Sequence, residues 1–216
     1  MENKTGKDKS ISLKIVYAIA GFSFLYSIVR YNVAGGVPWK DMPFFIMNKA
    51  ISFNGLLLLV LTFSIKPLKN IGVNIPGRWL NARKTLGRAG FVSIFIHMVM
   101  SLMLFSPAYY GKFFDAAGRM TSNTSLSMLS GVLAFAVLWL YNMSFYKQVK
   151  DDKLNEVLKS GKFLLLVMPL AGLHLFFMGY NGWMDPAGWH AGIPPISLVA
   201  FVVFVAGYVI NIIGRK

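Results

Sequence analysis

Three histidines occur among 216 residues, and two of them, His97 and His174, fall in the middle of long apolar segments. An imidazole at bilayer depth is costly unless it is hydrogen-bonded, paired or metal-bound, so each marks a candidate functional site. Lying on two different segments at compatible depth, they suggest one ligand shared between them. The simpler alternative is two buried imidazoles, each hydrogen-bonded to a backbone carbonyl or a serine. The absence of cysteine excludes disulfides, thiolate metal sites and the C-x-x-C-H attachment of c-type haem. A cofactor on these residues is therefore held non-covalently, and neutral imidazole on both sides suits the axial positions of a b-type haem.

The elements that must position the pair are helices. Hydrophobic residues make up 56% of the chain and charged ones only 14%, and six apolar runs, roughly 12–31, 44–65, 88–106, 125–146, 162–180 and 195–213, are long enough to cross a hydrocarbon core of about 30 Å. The reading is an all-α integral membrane protein, a six-helix bundle forming a single transmembrane domain over 1–216. The first run is also preceded by Lys4, Lys7, Lys9 and Lys14, as in a signal peptide, but it is long for that and no small-residue cleavage site follows. His97 lies about 13 Å along the third span and His174 about 9 Å from the outer end of the fifth, at the helical rise.

Charge orients the bundle. Of the 22 Lys and Arg residues, 17 fall in the two termini and the 66–88 and 147–162 connections; Arg30, Lys40, Lys49, Lys112 and Arg119 lie on the other side. Positive charge gathers on the cytoplasmic side, so both termini are expected there. With no soluble basic domain and no base-stacking aromatic motif, the +14 net charge does not indicate nucleic acid. The 66–88 connection reads as irregular, entering the third span at Gly87. Residues 148–160 read as a short polar helix at the membrane face, with Val149, Leu154, Val157 and Leu158 facing lipid or protein. All eight acidic residues lie outside the spans, which weighs against a proton-coupled transporter.

Around the histidines, Ser93 and Ser101 stand one turn from His97 and Gly90 two turns back; Ala171, Phe177 and Met178 surround His174. Small residues let a planar ligand approach a helix, and Met or Phe can line its faces. Pro169 is expected to kink the fifth span. Ser127, Gly131, Ala134, Leu138 and Tyr141 form a small-residue stripe on the fourth span, read as a helix contact. Arg30 and Lys49, at the outer ends of the first two spans, can neutralise haem propionates or simply reach to headgroups. His190 lies in an outer connection and reads as a surface or substrate-side residue.

The stretch Arg83-Lys84-Thr85-Leu86-Gly87-Arg88, followed nine residues later by His97, with a single histidine in the fifth of six spans, resembles the ferric-reductase-like transmembrane domain superfamily. That superfamily includes ferric reductases, NADPH oxidases and the haem-binding membrane subunit of periplasmic methionine sulfoxide reductase systems. The resemblance implies b-type haem ligated from spans three and five, hence by His97 and His174, and transmembrane electron transfer. Members with two haems carry further histidines in the same spans; this chain lacks them, so one haem is expected. No flavin or nicotinamide domain is present, so ferric-reductase-like oxidoreductase activity needs a separate donor, a quinol or a cytoplasmic flavoprotein, and an acceptor on the outer face. A prokaryotic plasma membrane is the expected location. The rival readings are a haem-free membrane scaffold or partner subunit, and a small transporter using Asn48, Asn54, Asn142 and Asn211.

Overall fold

A computed structural model describes residues 2–145 and 152–215. Its elements are α1 (Glu2–Ser27), prolonged by a π-helical turn (Ile28–Val33), α2 (Met47–Asn70), α3 (Gly77–Leu104), the short α4 (Pro107–Tyr110), α5 (Ser122–Met143), α6 (Asp152–Lys159), α7 (Gly161–Trp183) and α8 (Ile196–Gly214). No strand occurs among the described residues, and six helical stretches are long and apolar enough to cross a membrane: Ile11–Val33, Trp39–Asn70, Gly77–Leu104, Ser122–Met143, Gly161–Trp183 and His190–Gly214. Leu102, Met103, Leu129, Val202 and Ile212 are among the many large apolar side chains exposed on the bundle exterior. Water would not tolerate that surface, whereas lipid does.

The connection between the second and third spans differs from its sequence reading. Helix α2 runs on to Asn70 and α3 begins at Gly77, leaving only a turn where an irregular stretch to Gly87 was expected. Leu86 and Ala82 explain the extension: both are fully buried against Leu58 and Ile65 of α2, so this basic segment carries an apolar face and docks as helix. The polar helix near the membrane face is present as α6, with Leu158 buried and Leu154 and Val157 exposed; Gln148 to Asp151 lie outside the described residues. Helix α7 continues unbroken through Pro169.

Two sub-bundles make up the fold. Helices α1, α2 and α3 pack on one another, α5 and α7 form a second pair, and α8 joins them by packing on both α2 and α7. Between lipid-soluble surfaces there is little hydrophobic drive to associate, so close packing and interhelical hydrogen bonds must hold helices together. Both are present. Asn54 Nδ2 donates to Ser93 Oγ of α3 at 2.9 Å, and the fully buried Asn211 of α8 donates to Ser64 Oγ of α2 at 3.4 Å, besides Gly207 O of its own helix at 2.8 Å. Gly90 sits so close to α2 that a Cβ there would lie 2.9 Å from Leu59 Cγ and 3.2 Å from Gly55 O. By contrast α3 and α5 touch only sparsely, which opens the interior between the sub-bundles.

Gly90→Val is therefore expected to destabilise the bundle by about 1–3 kcal/mol through overpacking. Thermal unfolding of the detergent-solubilised protein, followed by circular dichroism, should show a lowered midpoint, with Val92→Ala on the exposed face of the same helix leaving it unchanged.

Candidate functional site

His97 projects from the latter part of α3 and His174 from the middle of α7, and both line a single cavity of about 680 Å³ between the sub-bundles. That volume lies within the range of small-molecule and cofactor pockets, about 300–1,000 Å³. Its walls are largely apolar and aromatic, with Phe53, Leu59, Ile94, Phe135, Met168 and Met178 among them. Stacked and tilted rings of Phe91, Phe95, Phe135 and Trp139 close the α3–α5 side.

The hydrogen bonding of the two imidazoles defines the chemistry available. His97 Nδ1 lies 2.7 Å from Asn48 Oδ1 and 3.3 Å from Ser101 Oγ. Asn48 is itself oriented, since its Nδ2 donates to Ser101 Oγ at 3.0 Å and to the Tyr110 hydroxyl at 3.1 Å. His174 Nδ1 lies 2.8 Å from the Ser127 carbonyl, and the Ser127 hydroxyl donates to His174 O at 2.9 Å. An amide oxygen and a carbonyl can only accept, so each Nδ1 carries the proton. Each Nε2 then keeps a free lone pair, and neither has a hydrogen-bond partner among the described residues. The simple expectation, histidine bonded to a serine or carbonyl, is met at one nitrogen of each ring. Holding a ligating histidine through its second nitrogen fixes tautomer and orientation, as metal sites commonly do.

The stripe on the fourth span takes on a definite role here. Ser127 supplies the carbonyl that holds His174, and Gly131 makes room for the ring: a Cβ at 131 would lie 2.6 Å from His174 Nδ1. Gly131, Ala134 and Leu138 all line the cavity. Among the residues expected near the histidines, Ser101, Ala171 and Met178 line the cavity as well. Ser93 instead bonds Asn54, and Gly90 packs against α2.

Charge gathers at one mouth of the cavity. Arg30 is carried inward by the π-helical turn after α1 and is only 4% exposed, yet its Nε and Nη1 have no hydrogen-bond partner. Lys49 lies over the rings of Phe45, Tyr31 and Tyr110 at 4.2, 5.0 and 5.6 Å. Lys112 lines the same mouth from the 105–121 loop, as does His190, which packs over Gly35 and is exposed. Asp185 is the one acidic side chain among the described lining residues, and its carboxylate caps the Pro186–Gly188 turn. A buried guanidinium without an anion is expensive, so this mouth calls for an anionic group from a ligand.

The sequence reading missed Asn48 as the partner of His97, Tyr110 as the anchor of Asn48, and Lys112 as a third cation. Asn48 stands on the same helix as Lys49, which was the available clue; the contributions of Tyr110 and Lys112 depend on how the 105–121 loop folds back. No protein-family model and no curated protein sequence matches the chain.

Nitrogen-15 NMR of histidine-labelled protein without added ligand should show His97 and His174 as neutral Nδ1–H tautomers. Asn48→Leu should release only the first and Gly131→Ala should displace only the second. An Nε2–H tautomer at either position in the unsubstituted protein would contradict the arrangement.

Proposed function

We propose that this protein is a membrane-embedded b-type haem electron-transfer subunit, similar in plan to the ferric-reductase-like transmembrane domain superfamily. The observation that carries the reading is that two histidines, one from each sub-bundle, line one largely apolar cavity with Nδ1 held from the protein and Nε2 left without a partner among the described residues. Haem b, bound there, supplies one-electron chemistry. His97 and His174 would hold it through their Nε2 atoms. Arg30 and Lys49, joined by Lys112, would meet the propionates, which supplies the anion that the unpartnered Arg30 requires.

The chain's own groups have definable tasks. Asn48 and the Ser127 carbonyl accept the Nδ1 protons, which raises the basicity of the opposite nitrogens and favours the oxidised metal. Gly131 permits His174 to reach the cavity without strain. The aromatic and methionine walls exclude water and lower the local dielectric, a lever on redox potential. The proposed donor is a quinol or flavoprotein at the basic end, and the proposed acceptor meets the aromatic end, where Trp189, Tyr109 and His190 rim the cavity. The distribution of Lys and Arg supports a cytoplasmic basic end, and the proposed setting is a plasma membrane with the cavity mouth on the outer side.

Protein purified from cells supplied with haem precursors should show a sharp b-type α band on reduction, at about one haem per chain by pyridine haemochrome. His97→Ala and His174→Ala should each abolish it. Arg30→Gln should retain the band but weaken haem retention about tenfold or more. A colourless wild-type protein, or full haem in both histidine variants, would defeat the proposal. Orientation is separately testable because the chain lacks cysteine. Single cysteines introduced at Gly72 and at Ala117 should react with an impermeant maleimide from the cytoplasmic and outer sides respectively.

A further inference from the structure

A second, smaller cavity of about 180 Å³ lies at the opposite, basic end, bounded by Lys66, Pro67 and Asn70 of α2, Arg83 of α3, Gly161 at the start of α7 and Arg215 after α8. It takes no part in the haem reading. Four separate elements converge on it, and three of the six lining residues are cations with no acid among them.

Both guanidiniums are built in rather than loosely solvated. Arg83 donates through Nε to Thr62 O at 3.0 Å, and Arg215 donates through Nε to Asn211 Oδ1 at 2.7 Å. Asn211 is fully buried and held in turn by Gly207 O, while Asn70 Nδ2 ties α2 to the end of α8 by donating to Gly214 O at 2.8 Å. Using Nε for anchoring leaves the Nη groups of both arginines without a hydrogen-bond partner among the described residues. Burial pushes the Arg215 guanidinium below its usual value; Tyr141 opposes this, and the nearby charge of Arg83 adds to it. Two partly buried like charges lining one small cavity repel each other, and an anion between them would relieve that repulsion. Arginine forks match tetrahedral oxyanions by paired N–H···O bonds, and Lys66 adds a mobile point charge.

We infer that the pocket framed by Lys66, Arg83 and Arg215 binds a phosphate group. Its place at the ends of four membrane helices makes the headgroup phosphate of an anionic lipid the nearest source, and free inorganic phosphate presents the same chemistry. The two arginines fix the oxyanion, and Lys66, exposed at the rim, closes over it.

The test uses the full-length protein in mild detergent, with thermal stability and native mass spectrometry as readouts. Dioleoylphosphatidylglycerol, dioleoylphosphatidylcholine and inorganic phosphate are titrated separately. Saturable binding and stabilisation by phosphatidylglycerol over phosphatidylcholine is expected, weakened about tenfold in Arg83→Gln, Arg215→Gln and Lys66→Gln but not in the basic-end control Arg78→Gln. The Lys66 variant guards against misfolding, because that side chain anchors no helix. A response to phosphatidylglycerol alone assigns the site to lipid, and a matching response to inorganic phosphate assigns it to the free anion. No saturable response to either, or an equal loss in Arg78→Gln, overturns the inference.

Discussion

A polar group without a partner costs several kcal/mol in hydrocarbon, roughly, and every feature of this bundle follows from how that cost is met. Asn54 finds Ser93, Asn211 finds Ser64 and Gly207, and the hydroxyl of Ser127 finds the carbonyl of His174. All but the Asn211–Gly207 bond cross between helices, so satisfying the polar groups also helps set which helices are neighbours. The exceptions stand out against this background. Two imidazole Nε2 atoms and the Nε and Nη1 of Arg30 are left over on residues that line one cavity, while the Ser23 hydroxyl and the Oδ1 atoms of Asn32 and Asn54 are unpartnered elsewhere in the bundle.

The division into two sub-bundles creates that cavity. Helices α2 and α8 form the continuous seam, with small residues letting backbones approach, whereas α3 stands away from α5. Large rings and methionines line the resulting space without filling it. The same histidines set in a uniformly packed bundle would be structural hydrogen-bonders. Here each is restrained from behind, by Asn48 or by Ser127, and open in front. This is the difference between a buried histidine and a histidine ready to ligate.

The two ends of the bundle have opposite characters. One is rich in aromatic residues, with cations resting on rings and turned toward the cavity. The other is basic, with arginines anchored by their Nε atoms around a smaller opening. The basic-end opening has no carboxylate among its described lining residues, and Asp185 is the one acidic side chain among those of the larger cavity. A protein that collects cations and withholds acids is arranged for anionic ligands, and the two cavities differ in whether an apolar body accompanies the charge.

Hydropathy and length alone determined the six helices, because a 20-residue apolar run has no other low-energy state in a bilayer. His97 and His174 were legible for the same reason: polar groups at that depth are too costly to be incidental. The helical start at Gly77 was harder to see, since Arg78, Arg83 and Lys84 mask the apolar face formed by Ala82 and Leu86. Pairing Asn48 with His97, turning Arg30 inward on a π-helical segment and bringing Arg215 beside Arg83 required the folded chain. Each of these depends on the rotation of a helix about its axis and on which helix lies next to it. Neither is encoded in a local run of residues; both emerge only when the helices pack against one another.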